Sequence, residues 1–317
     1  MTEEMTEEMT EEMTEEMAQD ESLIAELSAA ALAPGEVSDS LRPRIDELDL
    51  WRNVEEMREH GATVVTDAVP LDLLDELRAV IHEEIERLGS HDNLGAGAGH
   101  AQGVAECSML LGNPVVDRVV ALPKIQAMWQ FNVGMGFRAG TMAGTVLQQT
   151  KPGGEYMGVP LHADHAWLPQ PWPEHICVST ICLPCEGMTE EEGATRFVPG
   201  SHLHRRMPSP EEAAQGNSVP LVVPKGGFAM WGGSTWHETG VRTVPGVRTL
   251  LHASCQRLYT QPVEDYTHLL RDEAYLAAAP EAIRGLVGAD LMFGTYSPGG
   301  VVPDPDKTMK TLLMSQQ

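Results

Sequence analysis

The sequence predicts a mainly β domain with flanking helices, built on a double-stranded β-helix, the jelly-roll core. From about Ala143 onward the chain breaks into short β-prone runs separated by Pro and Gly, the pattern of an antiparallel sandwich or barrel. Helical patterning precedes these runs and returns after them. Nothing marks a second folded body, and 317 residues are enough for one large core.

Taken in order, the first sixteen residues are Met-Thr-Glu-Glu four times over, and residues 1–22 carry ten acids and no bases. Repelling carboxylates with little apolar surface to bury make residues 1–45 an acidic, disordered or loosely helical tail. Residues 46–317 are then the single β-helix domain. Helical patterning covers Asp20–Ala33 and Leu48–His60, with Ser38–Pro43 as a break between them. Gly61–Thr66 reads as a short strand. Pro70 opens an amphipathic helix with Leu73, Leu74, Leu77, Ile81, Ile85 and Leu88 on one face, and Gly89 closes it. Gly95–Gly99 is a loop. The expected strands are Thr145–Thr150, Ile176–Leu183, Arg196–Val198, Val219–Val223, Gly227–Trp231 and Thr249–Leu258. A helix from Glu273 to about Val287 follows.

The formal charge of −26 argues against nucleic acid and an anionic membrane surface as partners. Without the ten acids of the tail the body still holds about −16 (−26 + 10). No apolar run approaches the ~20 residues that span a bilayer. The acidic start is unlike a signal peptide. Five cysteines, thinly spread and odd in number, are no disulfide framework. These features lead us to expect a cytoplasmic protein acting on a small molecule.

The most informative residues are His162, Asp164, His237 and Arg248. Alternate residues of a strand share a face, so His162 and Asp164 on one strand are placed to bind one ion. With His237 as third ligand they make the two-histidine, one-carboxylate facial triad of non-haem Fe(II) oxygenases, which leaves adjacent coordination positions open. If Arg242–Gly246 turns a hairpin, Arg248 lies nearly opposite His237 on the neighbouring strand. A guanidinium there suits a chelating dicarboxylate co-substrate.

The same stretches resemble the phytanoyl-CoA dioxygenase family of Fe(II)/2-oxoglutarate oxygenases, which have a cupin-like jelly roll. The likeness runs over roughly residues 46–290. It is carried by Gly61–Val65 before a Leu-rich helix, Lys151-Pro152-Gly153-Gly154, Pro160–Asp164, Glu192–His202 with its Pro-Gly-Ser-His turn, and Gly226-Gly227-Phe228 leading to His237 and Arg248. The resemblance implies that His162, Asp164 and His237 ligate Fe(II), with 2-oxoglutarate and O2 as co-substrates and succinate and CO2 released. It implies that Arg248 pairs with the far carboxylate of 2-oxoglutarate and that Thr239 supports it. Gln149 and Thr195 are further candidates for contact with the co-substrate. Halogenating relatives have a small residue where Asp164 stands, so a hydroxylase (or an enzyme of desaturation or ring closure) is implied. An acidic body argues against a coenzyme A thioester, and Trp167 and Trp172 point to an apolar or ring-bearing substrate, such as a natural-product intermediate.

His165 and Trp167 follow the ligands and are expected to line the substrate pocket. Trp236 alternates to the other face and is expected to pack. His202 and His204 are surface-turn residues before they are a rival metal pair. Cys182 and Cys185 are plain strand cysteines, lacking the second pair that zinc would need. The competing functional reading is a non-catalytic metal-binding β-sandwich acting as a sensor or interaction module, which has no use for Arg248.

Overall fold

The computed structural model describes residues 33–88, 104–149 and 159–289. The repeat tail, most of the Asp20–Ala33 segment, Gly89, the Gly95–Gly99 loop and Lys151–Gly154 lie outside the described residues. Six strands form an antiparallel major sheet in the order β1 (Ala62–Val65), β7 (Phe228–Gly232), β4 (Val178–Pro184), β9 (Gly246–Gln256), β3 (Arg138–Gln149) and β2 (Val104–Cys107). A minor sheet holds β6 (Val219–Pro220), β5 (Arg196–Phe197) and β8 (His237–Glu238). The two sheets form the sandwich of a jelly roll.

Strand alternation sorts the major sheet into two faces. Ile181, Leu183, Phe228, Met230, Leu251, Ala253 and Cys255 belong to the larger core. There they join Val54 and Met57 of α2 (Trp51–His60), Leu73, Leu74, Leu77 and Ile81 of α3 (Leu71–Leu88), and Ile125, Met128 and Trp129 of α5 (Pro123–Val133). Each fully buried leucine or isoleucine in such a face contributes roughly 1.5–3 kcal/mol. The intervening residues Cys182, Ala229, Trp231 and Leu250 point the other way. They meet Ala194, Phe197, Leu221 and Val223 of the minor-sheet side in a second, smaller core. The space between the sheets is where the site is built.

The folded body begins before the expected boundary at residue 45. Val37, Leu41 and Ile45 are buried in the main core, and a short helix, α1 (Arg42–Glu47), starts where a break was expected. Pro43 sits in its first turn, where a missing N–H costs nothing. Among the described helices that were not legible are α4 (Pro114–Val120) and α5. In α5 Ile125 to Trp129, Asn132 and Val133 are all buried, so no polar face exists to generate a helical period.

Strand β3 starts seven residues before Thr145 because Gly140 and Gly144, poor strand formers by propensity, are needed for close approach. A Cβ on Gly140 would lie 2.5 Å from Ser254 Oγ, and one on Gly144 2.8 Å from Ile81. The expected helix at Glu273–Val287 is two, α8 (Glu273–Ala278) and α9 (Glu281–Val287). Pro280 forces Ala279 into extended backbone and opens the second. Two single turns of helix are α6 (Pro210–Ala213), between β5 and β6, and α7 (Thr267–Leu270), between β9 and α8. Among the described residues, no helix is long and apolar enough to cross a membrane.

Candidate metal centre

His162 and His237 are main-chain partners. Each donates its N–H to the other's carbonyl, at 2.9 and 2.8 Å, in an isolated antiparallel bridge. His237 in turn pairs with Phe197 in the minor sheet. The bridge sets the two imidazoles side by side, with ring centroids 4.2 Å apart. Each ring donates through Nδ1 to its own segment's backbone: His162 Nδ1 to Pro160 O at 2.7 Å, His237 Nδ1 to Thr235 O at 3.0 Å. A carbonyl can only accept, so both Nδ1 atoms carry the proton. Both Nε2 atoms then present lone pairs to one point.

Asp164 closes the triangle, though not as the second residue of a strand. The chain bends at Asp164, and His165 N–H bonds to Gly233 O at 2.8 Å, so the expected ligand strand is one bridge residue followed by a turn. The turn lifts the carboxylate toward β4 and β7. There Oδ2 accepts Thr180 Oγ1 at 2.9 Å and the Trp231 indole N–H at 3.1 Å. Its other oxygen, Oδ1, lies 3.5 Å from His237 Nε2 and 3.9 Å from His162 Nε2. The three ligand atoms fall within 4.8 Å of one another.

Burial works to raise the Asp164 pKa. The two imidazoles and the bonds from Thr180 and Trp231 outweigh it and hold the carboxyl below its ordinary value. Burial lowers the pKa of His237, which Asp164 partly opposes, so this ring is neutral and its lone pair is free. Two imidazole nitrogens, one carboxylate oxygen and fixed tautomers are what a first-row divalent ion such as Fe(II) requires of its protein ligands.

Arg248 reaches the same interior from the opposite sheet. The expected hairpin placing it across from His237 is not formed. His237 belongs to the minor sheet, and Arg248 lies in β9 of the major sheet, opposite Leu147. The connecting segment is held to the minor-sheet side by the Glu192–Arg242 bridge before it crosses over. Arg248 is therefore brought toward the ligands across the sandwich and not along a ladder. It is 4% exposed, with Nη1 3.7 Å from Met188 Sδ. Gly193, at φ +83°, makes room for it, since a Cβ there would sit 3.2 Å from Arg248 Nη1.

The remaining candidates separate. Thr239 is paired with Val159: its Oγ1 accepts the Val159 N–H at 3.0 Å and its own N–H donates to Val159 O at 3.1 Å. Its hydroxyl hydrogen stays available. Thr195 is buried, with its hydroxyl toward Cys182 Sγ at 3.9 Å, in the interior that Arg248 enters. Gln149 ends β3 opposite Gly246; its side chain is outside the described residues. His165, expected at the substrate pocket, is wholly buried and holds the framework, its Nε2 accepting the N–H groups of Cys177 at 3.1 Å and Val178 at 3.3 Å. Burial pushes its pKa down to about 4, as an imidazole accepting two N–H bonds in a dry site requires. Trp167 is 54% exposed.

Trp236 packs, stacked on His204 and bonded to Arg206 O. His202 is turned against Gly61 and Arg58, so the two turn histidines form no metal pair. Cys182 and Cys185 are free, buried thiols with pKa values raised to about 11 and about 12, chiefly by burial. Sequence reasoning missed Thr180, Trp231 and His252. All three alternate onto the inner face of the major sheet, a signal that appears only once strand registers are known.

Fold and site together define a jelly-roll protein with a two-histidine, one-carboxylate centre and an opposing arginine. Residues 57–249 match the model of the phytanoyl-CoA dioxygenase (PhyH) family, and the chain belongs to that family. It is similar to the dioxygenase af480 of Aspergillus fumigatus, 29% identical over 53% of this chain and 58% of that one. It is also similar to the dioxygenase andF of Emericella variicolor, 28% identical over 36% of this chain and 40% of that one. The chain thus spans less than two thirds of the length of these curated relatives. Among solved structures, it shares its fold with the epimerase SnoN from nogalamycin biosynthesis, solved with Fe3+, alpha ketoglutarate and nogalamycin RO. The TM-score is 0.55 at 19% identity, over 70% of this chain and 90% of that one. HygX from Streptomyces hygroscopicus, solved with nickel and 2-oxoglutarate, has a TM-score of 0.52 at 13% identity, over 67% and 88% of the two chains.

Proposed function

We propose that this protein is an Fe(II)- and 2-oxoglutarate-dependent dioxygenase that hydroxylates an unactivated C–H bond of a small organic molecule. The single observation that carries this reading is Arg248, buried across the sandwich from the His162–Asp164–His237 triangle. A guanidinium on the inner face of the same sandwich as a divalent-ion site is suited to pair two-pronged with the far carboxylate of a dicarboxylate that chelates the ion.

Bound Fe(II) with 2-oxoglutarate supplies the oxidising chemistry: O2 is consumed, 2-oxoglutarate becomes succinate and CO2, and one oxygen atom enters the substrate. The chain's own part is positioning. His162 and His237 present Nε2 lone pairs held by backbone carbonyls. Asp164 presents Oδ1 because Thr180 and Trp231 hold Oδ2. Arg248 would hold the far end of the co-substrate, its planar fork suited to a two-pronged grip on a carboxylate.

The substrate is proposed to be an apolar or ring-bearing natural-product intermediate. Exposed apolar side chains flank the ligands in sequence: Val159 before His162, Trp167 after Asp164, and Val241 after His237. The acidity of the chain argues against a coenzyme A ester. Relatives described as dioxygenases, and neighbours from antibiotic biosynthesis, support the same reading. The test is succinate formation from 2-oxoglutarate, requiring both iron and O2, with Asp164→Ala as control. Iron binding without any turnover, coupled or uncoupled, sinks the enzyme and favours the sensor module.

A further inference from the structure

Strand β9 carries a second chemistry-bearing side chain on the face that Arg248 occupies. Residues 248, 250, 252 and 254 alternate onto one side, and Leu250 lies in the inter-sheet core, which identifies that side as the interior. His252 stands opposite Cys182 of β4 and Ala143 of β3. One same-face step along the strand is Ser254, opposite Thr180, the residue that holds Asp164. Two steps the other way is Arg248. At ~3.4 Å per residue, His252 is roughly 7 Å along the strand from the carboxylate's support and roughly 14 Å from the Arg248 Cα, an interval the long arginine side chain partly fills.

Ring contacts agree with this placement. Trp231 lies between two imidazoles, with His237 at 4.7 Å and His252 at 6.1 Å, the latter edge-on. Besides burial, the His252 ring senses Arg248, Asp164, His237 and His162, so it sits within electrostatic reach of both halves of the site. It is partly exposed and, among the described residues, no hydrogen bond occupies either ring nitrogen. An imidazole in a packed interior ordinarily finds a partner.

We propose, building on the co-substrate reading above, that His252 is a binding residue for 2-oxoglutarate, donating a ring N–H to its metal-side keto acid end while Arg248 holds the far carboxylate. A neutral imidazole has one donor to give, and an anionic acceptor makes that bond among the stronger ones.

The experiment is an anaerobic titration of the Fe(II)-loaded protein with 2-oxoglutarate, read by the visible charge-transfer absorbance of the chelate. It is run on wild type, His252→Leu and His252→Gln, with Fe(II) affinity and melting temperature measured alongside. We expect His252→Leu to weaken 2-oxoglutarate binding about tenfold or more. His252→Gln, which keeps a donor, should stay closer to wild type, with Fe(II) affinity unchanged in both. Wild-type affinity in His252→Leu overturns the proposal, as does equal loss in both variants accompanied by lost Fe(II) binding, which marks a packing role. If wild-type protein binds Fe(II) but develops no absorbance with 2-oxoglutarate, the proposed function itself fails, and this inference with it.

Discussion

The indole N–H of Trp231 donates to Asp164 Oδ2 at 3.1 Å, the same oxygen that Thr180 reaches at 2.9 Å. One carboxylate oxygen is thereby fixed by two donors from two strands, and the other is left facing the imidazoles. Outer partners of this kind orient a ligand, and losing one costs 10- to 100-fold in metal affinity. Trp231→Phe and Thr180→Val should each weaken Fe(II) or Co(II) binding by about that factor, read by equilibrium titration, with the fold intact by circular dichroism. Unchanged affinity in both variants means that Asp164 is oriented by its turn alone.

Asp164 itself should be indispensable. Asp164→Ala removes one of three protein donors, and succinate formation should fall at least ~10³-fold, an interaction loss of about 4 kcal/mol. On the proposed reading the carboxylate would fill the coordination position a halide would need. Incubation with chloride, 2-oxoglutarate and an accepted substrate should therefore give oxygenated product and no chlorinated product by mass spectrometry. Chlorinated product contradicts the placement of Asp164 on the metal.

Arg248 should govern co-substrate affinity and not metal affinity. Arg248→Lys keeps the charge but loses the fork, and Arg248→Met loses both. The KM for 2-oxoglutarate should rise about tenfold in the lysine variant and 100-fold or more in the methionine variant, in the range expected for removing a buried charged partner. Fe(II) titration should be unaffected. Equal KM values across the three proteins leave no role for a dicarboxylate anchor.

The fold class and the triad were legible because each leaves a local trace. Pro- and Gly-bounded apolar runs mark short strands, and a His-x-Asp pair with a distant histidine suits one divalent ion. What was not legible depended on register. His162 and Asp164 converge through a bridge and a turn, not through strand alternation. His237 and Arg248 lie in different sheets, which no hairpin spacing encodes. Helix α5 escaped notice because burial around its circumference erases the period. His165 was misplaced since sequence adjacency to a ligand says nothing about which way the following turn sends the ring.

That turn yields a stability prediction. His165 Nε2 accepts the N–H groups of Cys177 and Val178 in a fully buried setting, tying the ligand loop to the start of β4. His165→Leu orphans both donors at about 1–3 kcal/mol each, so urea unfolding should show a loss of roughly 2–6 kcal/mol. His165→Gln, whose side-chain oxygen can accept, should recover part of it. A loss below ~1 kcal/mol in the leucine variant means water reaches these groups and the loop is not anchored here.

Gly193 separates stability from binding in one position. Its φ of +83° is a conformation that side-chain-bearing residues adopt at a cost of roughly 1–2 kcal/mol. A Cβ there would also lie 2.9 Å from Gly240 O, 3.0 Å from Arg242 N and 3.2 Å from Arg248 Nη1. The first two are backbone atoms of the crossing segment and cannot yield cheaply; the third is the end of a long side chain and can. Gly193→Ala should therefore lower the melting temperature and push the guanidinium from its seat, raising the 2-oxoglutarate KM while Fe(II) affinity holds. Gly216, at φ +66° with open space around its Cβ position, is the matched control. Gly216→Ala carries the backbone penalty alone and should leave the KM unchanged. If the two alanine variants lose equal stability and neither alters the KM, Gly193 serves only its own backbone and Arg248 does not depend on the space it leaves.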